Sequence, residues 1–222
     1  MKPQPLPLDL YLVTDSALAA PRALVDVVAA AVRGGVSLVQ LREKQLPAPA
    51  FTALAREVLG ITRPAGVPLL INDNVEVALA AGADGVHVGQ SDVPWQDVRR
   101  RLGPDAIIGL SVESWTQAIA ASEAKVDYLG VSPVFCTPTK PELQHALGLD
   151  GLRAIRATTR LPLVAIGGMN ADTAADTIRA GADGLAVVSA ICAAPDPEAA
   201  SRDLLAIIRA AKRARFKPGA SA

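Results

Sequence analysis

The sequence predicts a (β/α)8 barrel, and three observations carry that expectation. Short apolar runs alternate with Ala-rich helical stretches eight times along 222 residues. One motif recurs, as A-A-G-A-D-G-V-H-V at 80–88 and R-A-G-A-D-G-L-A-V at 179–187, with weaker copies R-G-G-V-S-L-V-Q at 33–40 and A-K-V-D-Y-L-G-V at 124–131. The alternation also runs to the end of the chain. A doubly wound open sheet is the alternative, but such a sheet usually carries a glycine-rich phosphate loop after its first strand, and Y-L-V-T-D at 11–15 has none.

Each element follows from local chemistry. In every copy of the motif a helical pattern ends at Gly or a small polar break, and Gly tolerates the left-handed conformation that stops a helix. The apolar run that follows has strand length and suits a strand buried on both faces. Four further runs fall between the copies, at 10–14, 68–72, 106–110 and 162–167, and three of them follow a Pro within a residue or two. Eight parallel strands in about this length close into a barrel. The stretch 23–33 is apolar almost all round, as a helix packed on a sheet can be. Residues 173–180 follow Asp172, which is expected to cap that helix. The whole chain, 1–222, is read as one domain with its core at about 9–212 and flexible ends at 1–8 and 213–222.

Composition narrows the function. Lys+Arg and Asp+Glu stand at 22 each, so no global field points to nucleic acid or an anionic membrane, and any anion site is local. The two cysteines, Cys136 and Cys192, form no C-x-x-C pair, which argues against a zinc site or disulfide framework. No unbroken apolar run of about 18 residues is present, and M-K-P-Q-P-L-P-L is no secretory signal. The expectation is a reduced, cytoplasmic protein acting on small molecules; a homo-oligomer is compatible with the sequence.

In barrels of this kind the chemistry sits at the C-terminal strand ends. Gln40, Arg42 and Lys44, in V-Q-L-R-E-K, lie two apart and share one side of a strand end, with Leu41 and Glu43 on the other. Asn72, Asp73 and Asn74 follow the third strand, Gln90, Ser91 and Asp92 the fourth, and Ser111 the fifth. The loop S-P-V-F-C-T-P-T-K brings Thr137, Pro138, Thr139 and Lys140 after the sixth, and is read as a loop that could close over substrate. Gly167 and Gly168 follow the seventh strand and Ser189 the eighth. Two carboxylates facing across a mouth repel unless a cation sits between them. Asp73 and Asp92 therefore suit Mg²⁺, with Arg42 and Lys44 taking the remaining oxygens of a diphosphate. The competing reading makes each Asp a helix N-cap. The glycines and the Ser189 turn suit a monophosphate. His87, inside V-H-V, reads as a packed, hydrogen-bonded core residue.

These pieces together resemble the thiamine phosphate synthase family. The matching segments are Y-L-V-T-D, V-Q-L-R-E-K, I-N-D, G-V-H-V-G-Q-S-D, I-I-G-L-S, D-Y-L-G-V-S-P-V-F-C-T-P-T-K, V-A-I-G-G-M and A-V-V-S-A-I, in the family's order, over residues 11–191. The resemblance implies a transferase of thiamine biosynthesis. It would join 4-amino-2-methyl-5-hydroxymethylpyrimidine diphosphate to a thiazole monophosphate, or its carboxylated form, releasing pyrophosphate through a dissociative, carbocation-like step. It also implies roles: Gln40, Arg42, Glu43, Lys44, Asn72, Ser111 and Lys140 at the pyrimidine diphosphate; Thr137, Pro138, Thr139, Gly168, Val188 and Ser189 at the thiazole phosphate; Asp73 and Asp92 at one Mg²⁺. The chain departs from the family pattern at Ser132, usually Gly, and at Asn74, often Arg. A thiazole tautomerase on the same barrel is the nearest alternative, and a non-catalytic phosphate-ligand sensor the next. Neither needs the full diphosphate and metal set.

Overall fold

The computed structural model describes residues 5–136 and 146–215. Eight strands form one closed parallel barrel in chain order: β1 (Leu10–Val13), β2 (Leu38–Leu41), β3 (Leu69–Asn72), β4 (Gly85–Val88), β5 (Ile107–Val112), β6 (Tyr128–Val131), β7 (Leu163–Ala165) and β8 (Gly184–Val187). The register is continuous, and β8 returns to β1 with Tyr11 opposite Ala186. Around the barrel run α1 (Ser16–Ala19), α2 (Leu24–Arg33), α3 (Ala48–Thr62), α4 (Val75–Ala81), α5 (Trp95–Leu102), α6 (Trp115–Ala120), α7 (Gly148–Thr158), α8 (Ala171–Arg179), α9 (Ser189–Cys192) and α10 (Pro197–Arg215). No helix among the described residues is long and apolar enough to cross a membrane.

Strand alternation divides the core in two. Leu10, Leu12, Val39, Leu41, Leu69 and Ile71 face outward to the helices. Tyr11, Val13, Leu38, Leu70, Ile107, Tyr128, Val164 and Ala186 fill the barrel interior. Each buried Val, Leu or Ile among them contributes ~1.5–3 kcal/mol. On α2 the buried residues Leu24, Val27, Val28 and Ala31 follow helical spacing and form the stripe that covers the sheet.

The recurring motif has a structural cause. Its small polar residue sits just before an even-numbered strand and receives a backbone N–H from the strand before. Asp84 Oδ2 accepts from Leu69 N (2.8 Å), Asp127 Oδ2 from Ile108 N (2.9 Å) and Asp183 Oδ2 from Leu163 N (2.9 Å). Ser37 Oγ accepts from Leu10 N (3.1 Å) in the fourth copy. These are N–H groups at the starts of buried strands, and leaving one unpaired is costly. Two arginines brace the same end. Arg99 Nη2 lies 3.1 Å from Asp127 and Arg156 Nη1 2.9 Å from Asp183, and both also gather loop carbonyls.

Three local expectations are corrected. The cap of α8 is Asn170 rather than Asp172, in a reciprocal capping box with Thr173. Residues 5–8 are not a free end: Leu8 is buried, and with Leu6 packs beneath the barrel interior. At the other end α10 continues to Arg215, whose guanidinium donates to the Ile178 and Ala182 carbonyls (2.9 Å each).

Candidate active site

The strand ends open into a cavity of about 420 Å³. It is lined by Gln40, Arg42, Lys44, Asn72, Asp73, Asp92 and Ser111, drawn from β2, β3, β5 and the loop after β4. Thr14 Oγ1 accepts from the Arg42 backbone N–H (3.0 Å) and fixes the point where β2 gives way to its loop. Lys44 Nζ then crosses to Asp73 Oδ2 at 2.6 Å, and Asn72 Nδ2 donates to the same oxygen at 2.6 Å. Glu43 is placed elsewhere: it does not line the cavity and accepts a hydrogen bond from Ser16.

The two aspartates are not helix caps. Asn74 caps α4, its side chain accepting from Val77 N, and Pro94 precedes α5. Asp73 instead holds a positive φ of 61°, unusual for a residue with a side chain. Asp92 Oδ2 accepts from Gly89 N (2.7 Å). Burial raises the Asp92 carboxyl above its ordinary value, the nearby Asp73 carboxylate raises it further, and the Gly89 N–H and Lys44 pull the other way. Two neighbouring, partly exposed carboxylates supply hard oxygen ligands, and these suit a hard divalent cation.

A second cavity of about 530 Å³ adjoins the first. Gly167, Gly168, Val188 and Ser189 line it, and Ser132, Ile166, Ala186 and Val188 are common to both. Gly167 and Gly168 both have positive φ (96° and 67°). A Cβ there would fall 2.9 Å from Pro133 Cβ or 2.7 Å from Phe135 Cβ, so side chains are excluded from this turn.

A model of the thiamine monophosphate synthase family matches residues 10–191. The chain belongs to that family. It is 54% identical to the thiamine-phosphate synthase of Albidiferax ferrireducens, over 91% of this chain and 93% of that protein. It is 50% identical to the one from Roseiflexus sp., over 95% and 89%. Among solved structures, a thiamine phosphate pyrophosphorylase from Pyrococcus furiosus superposes with TM-score 0.85 at 35% identity, covering 94% of this chain and 99% of that one.

The first cavity gathers every residue expected at the pyrimidine diphosphate and metal except Glu43 and Lys140. Gly168, Val188 and Ser189 meet at the second. Thr137, Pro138, Thr139 and Lys140 lie outside the described residues. Of the two departures, Asn74 serves α4 as its cap, and Ser132 is buried between the cavities. Sequence reasoning missed Tyr11 and Tyr128, which line the first cavity beside His87. His87 is hydrogen-bonded on both ring nitrogens, to Tyr128 Oη and Ser111 Oγ (2.8 Å each). The alternation Tyr11–Val13 and Tyr128–Gly130 on strands already placed was the available signal.

Proposed function

We propose that this chain, a transferase of thiamine biosynthesis, forms thiamine phosphate where its two cavities meet. The observation that supports this most directly is the shared wall of Ser132, Ile166, Ala186 and Val188 between a cavity carrying Arg42, Lys44 and two aspartates and one built on Gly167, Gly168 and Ser189. Two anionic substrates can lie with their reacting ends together and their charges at opposite sides.

Arg42 and Lys44 hold the diphosphate by charge-assisted hydrogen bonds. Asn72 and Ser111 complete that pocket, and Gln40 contacts the pyrimidine. The bond from the pyrimidine methylene carbon to the diphosphate oxygen breaks, and its electron pair leaves with diphosphate. The thiazole nitrogen then donates its lone pair to that carbon, forming the new C–N bond. Such a step calls for stabilised leaving-group charge and exclusion of water rather than a nucleophilic side chain. Ile166, Ala186 and Val188 of the shared wall supply the dry side. Asp73 and Asp92 would hold Mg²⁺, which when bound adds positive charge beside the leaving diphosphate. Lys44 would then turn from Asp73 toward a phosphate oxygen.

The test combines both substrates with protein and Mg²⁺, follows pyrophosphate release, and identifies the product by mass. Thiamine phosphate should require both substrates and fall away with EDTA. Product undiminished by EDTA would remove the metal from the reading. Migration of the thiazole double bond without pyrophosphate would replace the synthase by the tautomerase.

A further inference from the structure

Five side chains from five strands form one continuous hydrogen-bonded chain across the barrel interior. Gln40 Nε2 donates to Tyr11 Oη (2.5 Å). Tyr11 Oη meets Tyr128 Oη at 2.8 Å. Tyr128 Oη meets His87 Nδ1 at 2.8 Å, and His87 Nε2 meets Ser111 Oγ at 2.8 Å. Both ends of the chain, Gln40 and Ser111, line the first cavity.

We infer that this chain runs in one direction, from Gln40 to Ser111, with His87 held as the neutral Nε2–H tautomer. The structure thereby assigns Tyr11, Tyr128 and His87 as positioning residues for the ligand ring. An amide nitrogen only donates, so Tyr11 Oη accepts from Gln40 and its own proton goes to Tyr128. Each tyrosine has one proton to give, so the Tyr128 proton goes to His87 Nδ1, which must be bare. The imidazole proton is then on Nε2 and donates to Ser111 Oγ. Ser111 keeps its own proton for the cavity, and Gln40 keeps its amide oxygen and its second amide N–H. The Ser111 end therefore offers a donor, and the Gln40 end an acceptor beside a donor, at fixed places. That pattern selects a heteroaromatic ring that carries both an amino donor and a bare ring nitrogen.

The geometry locks this arrangement. Tyr11 and Tyr128 pack edge to face, with centroids 5.9 Å apart, and Tyr128 stacks on His87 at 5.5 Å. Room for the pair comes from two glycines. A Cβ on Gly109 would lie 2.2 Å from Tyr128 Cζ and 2.4 Å from His87 Nδ1, and one on Gly130 would lie 2.9 Å from His87 Cε1. Burial also raises both tyrosine hydroxyls above their ordinary value, which keeps their protons in place.

This inference rests on the synthase reading for its ligand but not for its geometry, and the experiment separates the two. The chain has two histidines, so His145→Gln in a ¹⁵N-labelled protein leaves only the His87 signals in a long-range imidazole spectrum. At pH 7.5 Nδ1 should be pyridine-like and Nε2 pyrrole-like. The reverse pattern would mean the chain runs from Ser111 to Gln40, and an imidazolium would mean it has no direction; either overturns the inference. Tyr128→Phe keeps the ring and removes the relay. It should raise KM for the pyrimidine diphosphate roughly tenfold and leave KM for the thiazole phosphate unchanged. Unchanged kinetics for both substrates would also overturn it. Absence of thiamine phosphate with the unaltered protein would sink the synthase reading instead, and the imidazole spectrum would still stand.

Discussion

Lys44 Nζ lies 2.6 Å from Asp73 Oδ2, so a cation from the β2 loop already sits on the carboxylate that closes β3. The pair is partly exposed and its own contribution to stability is small, about 0–1 kcal/mol. Its place in the cavity is what gives it consequence. Lys44→Ala should leave the melting temperature nearly unchanged. It should lower kcat/KM for the diphosphate substrate by roughly 10²-fold, as loss of one hydrogen bond to a charged group does. Steady-state kinetics beside a thermal melt check both halves.

Asp183 holds β7 to β8 from below. It accepts from Leu163 N and pairs with Arg156 (2.9 Å) and Arg215 (3.3 Å). Asp183→Ala leaves a strand N–H and two guanidinium groups without that partner. The expected loss is ~2–4 kcal/mol in unfolding free energy by urea titration, with the m-value unchanged. A loss under ~0.5 kcal/mol would show that the motif's aspartate is not what joins these strands.

Thr62, at the end of α3, is buried, and its Oγ1 finds no hydrogen-bond partner among the described residues. A methyl group of the same shape has no such need. Thr62→Val should therefore stabilise by up to ~1 kcal/mol, read as an upward shift in the melting temperature.

The two thiols should separate cleanly. Cys136 is exposed and Cys192 buried. Burial raises the Cys192 thiol from 9.0 to about 11. At pH 8 a disulfide reagent should titrate one thiol per native chain and two in denaturant. The raised value also sets a sign. The fold favours the protonated thiol, so its contribution is full below pH 9 and is lost as pH rises toward about 11. Cys192→Ala should flatten the stability decline in that window, measured by denaturant titration across pH.

Much of the barrel was legible because its cause is periodic. The A-G-A-D-G copies mark where a helix stops and a strand starts, and the aspartates in them perform one task at each site. Gln40, Arg42 and Lys44 were readable because alternation alone puts them on one face, and it also set Glu43 apart. Caps were less legible. I-N-D-N offers Asp73 or Asn74, and M-N-A-D offers Asn170 or Asp172; the choice depends on where the backbone turns into the helix. The Tyr11–Tyr128 contact joins residues 117 apart in sequence, and no local pattern announces it. Gly109 and Gly130 read as unremarkable strand glycines until the rings that need their space are in view.

Leu8, tucked with Leu6 under Leu38, Leu70 and Ile107, closes the barrel from below. Among the described residues that end of the barrel is stoppered, so a molecule seated against Tyr11 and Tyr128 faces the loop-bearing rim. The floor of the binding site is thus set by residues that precede the first strand.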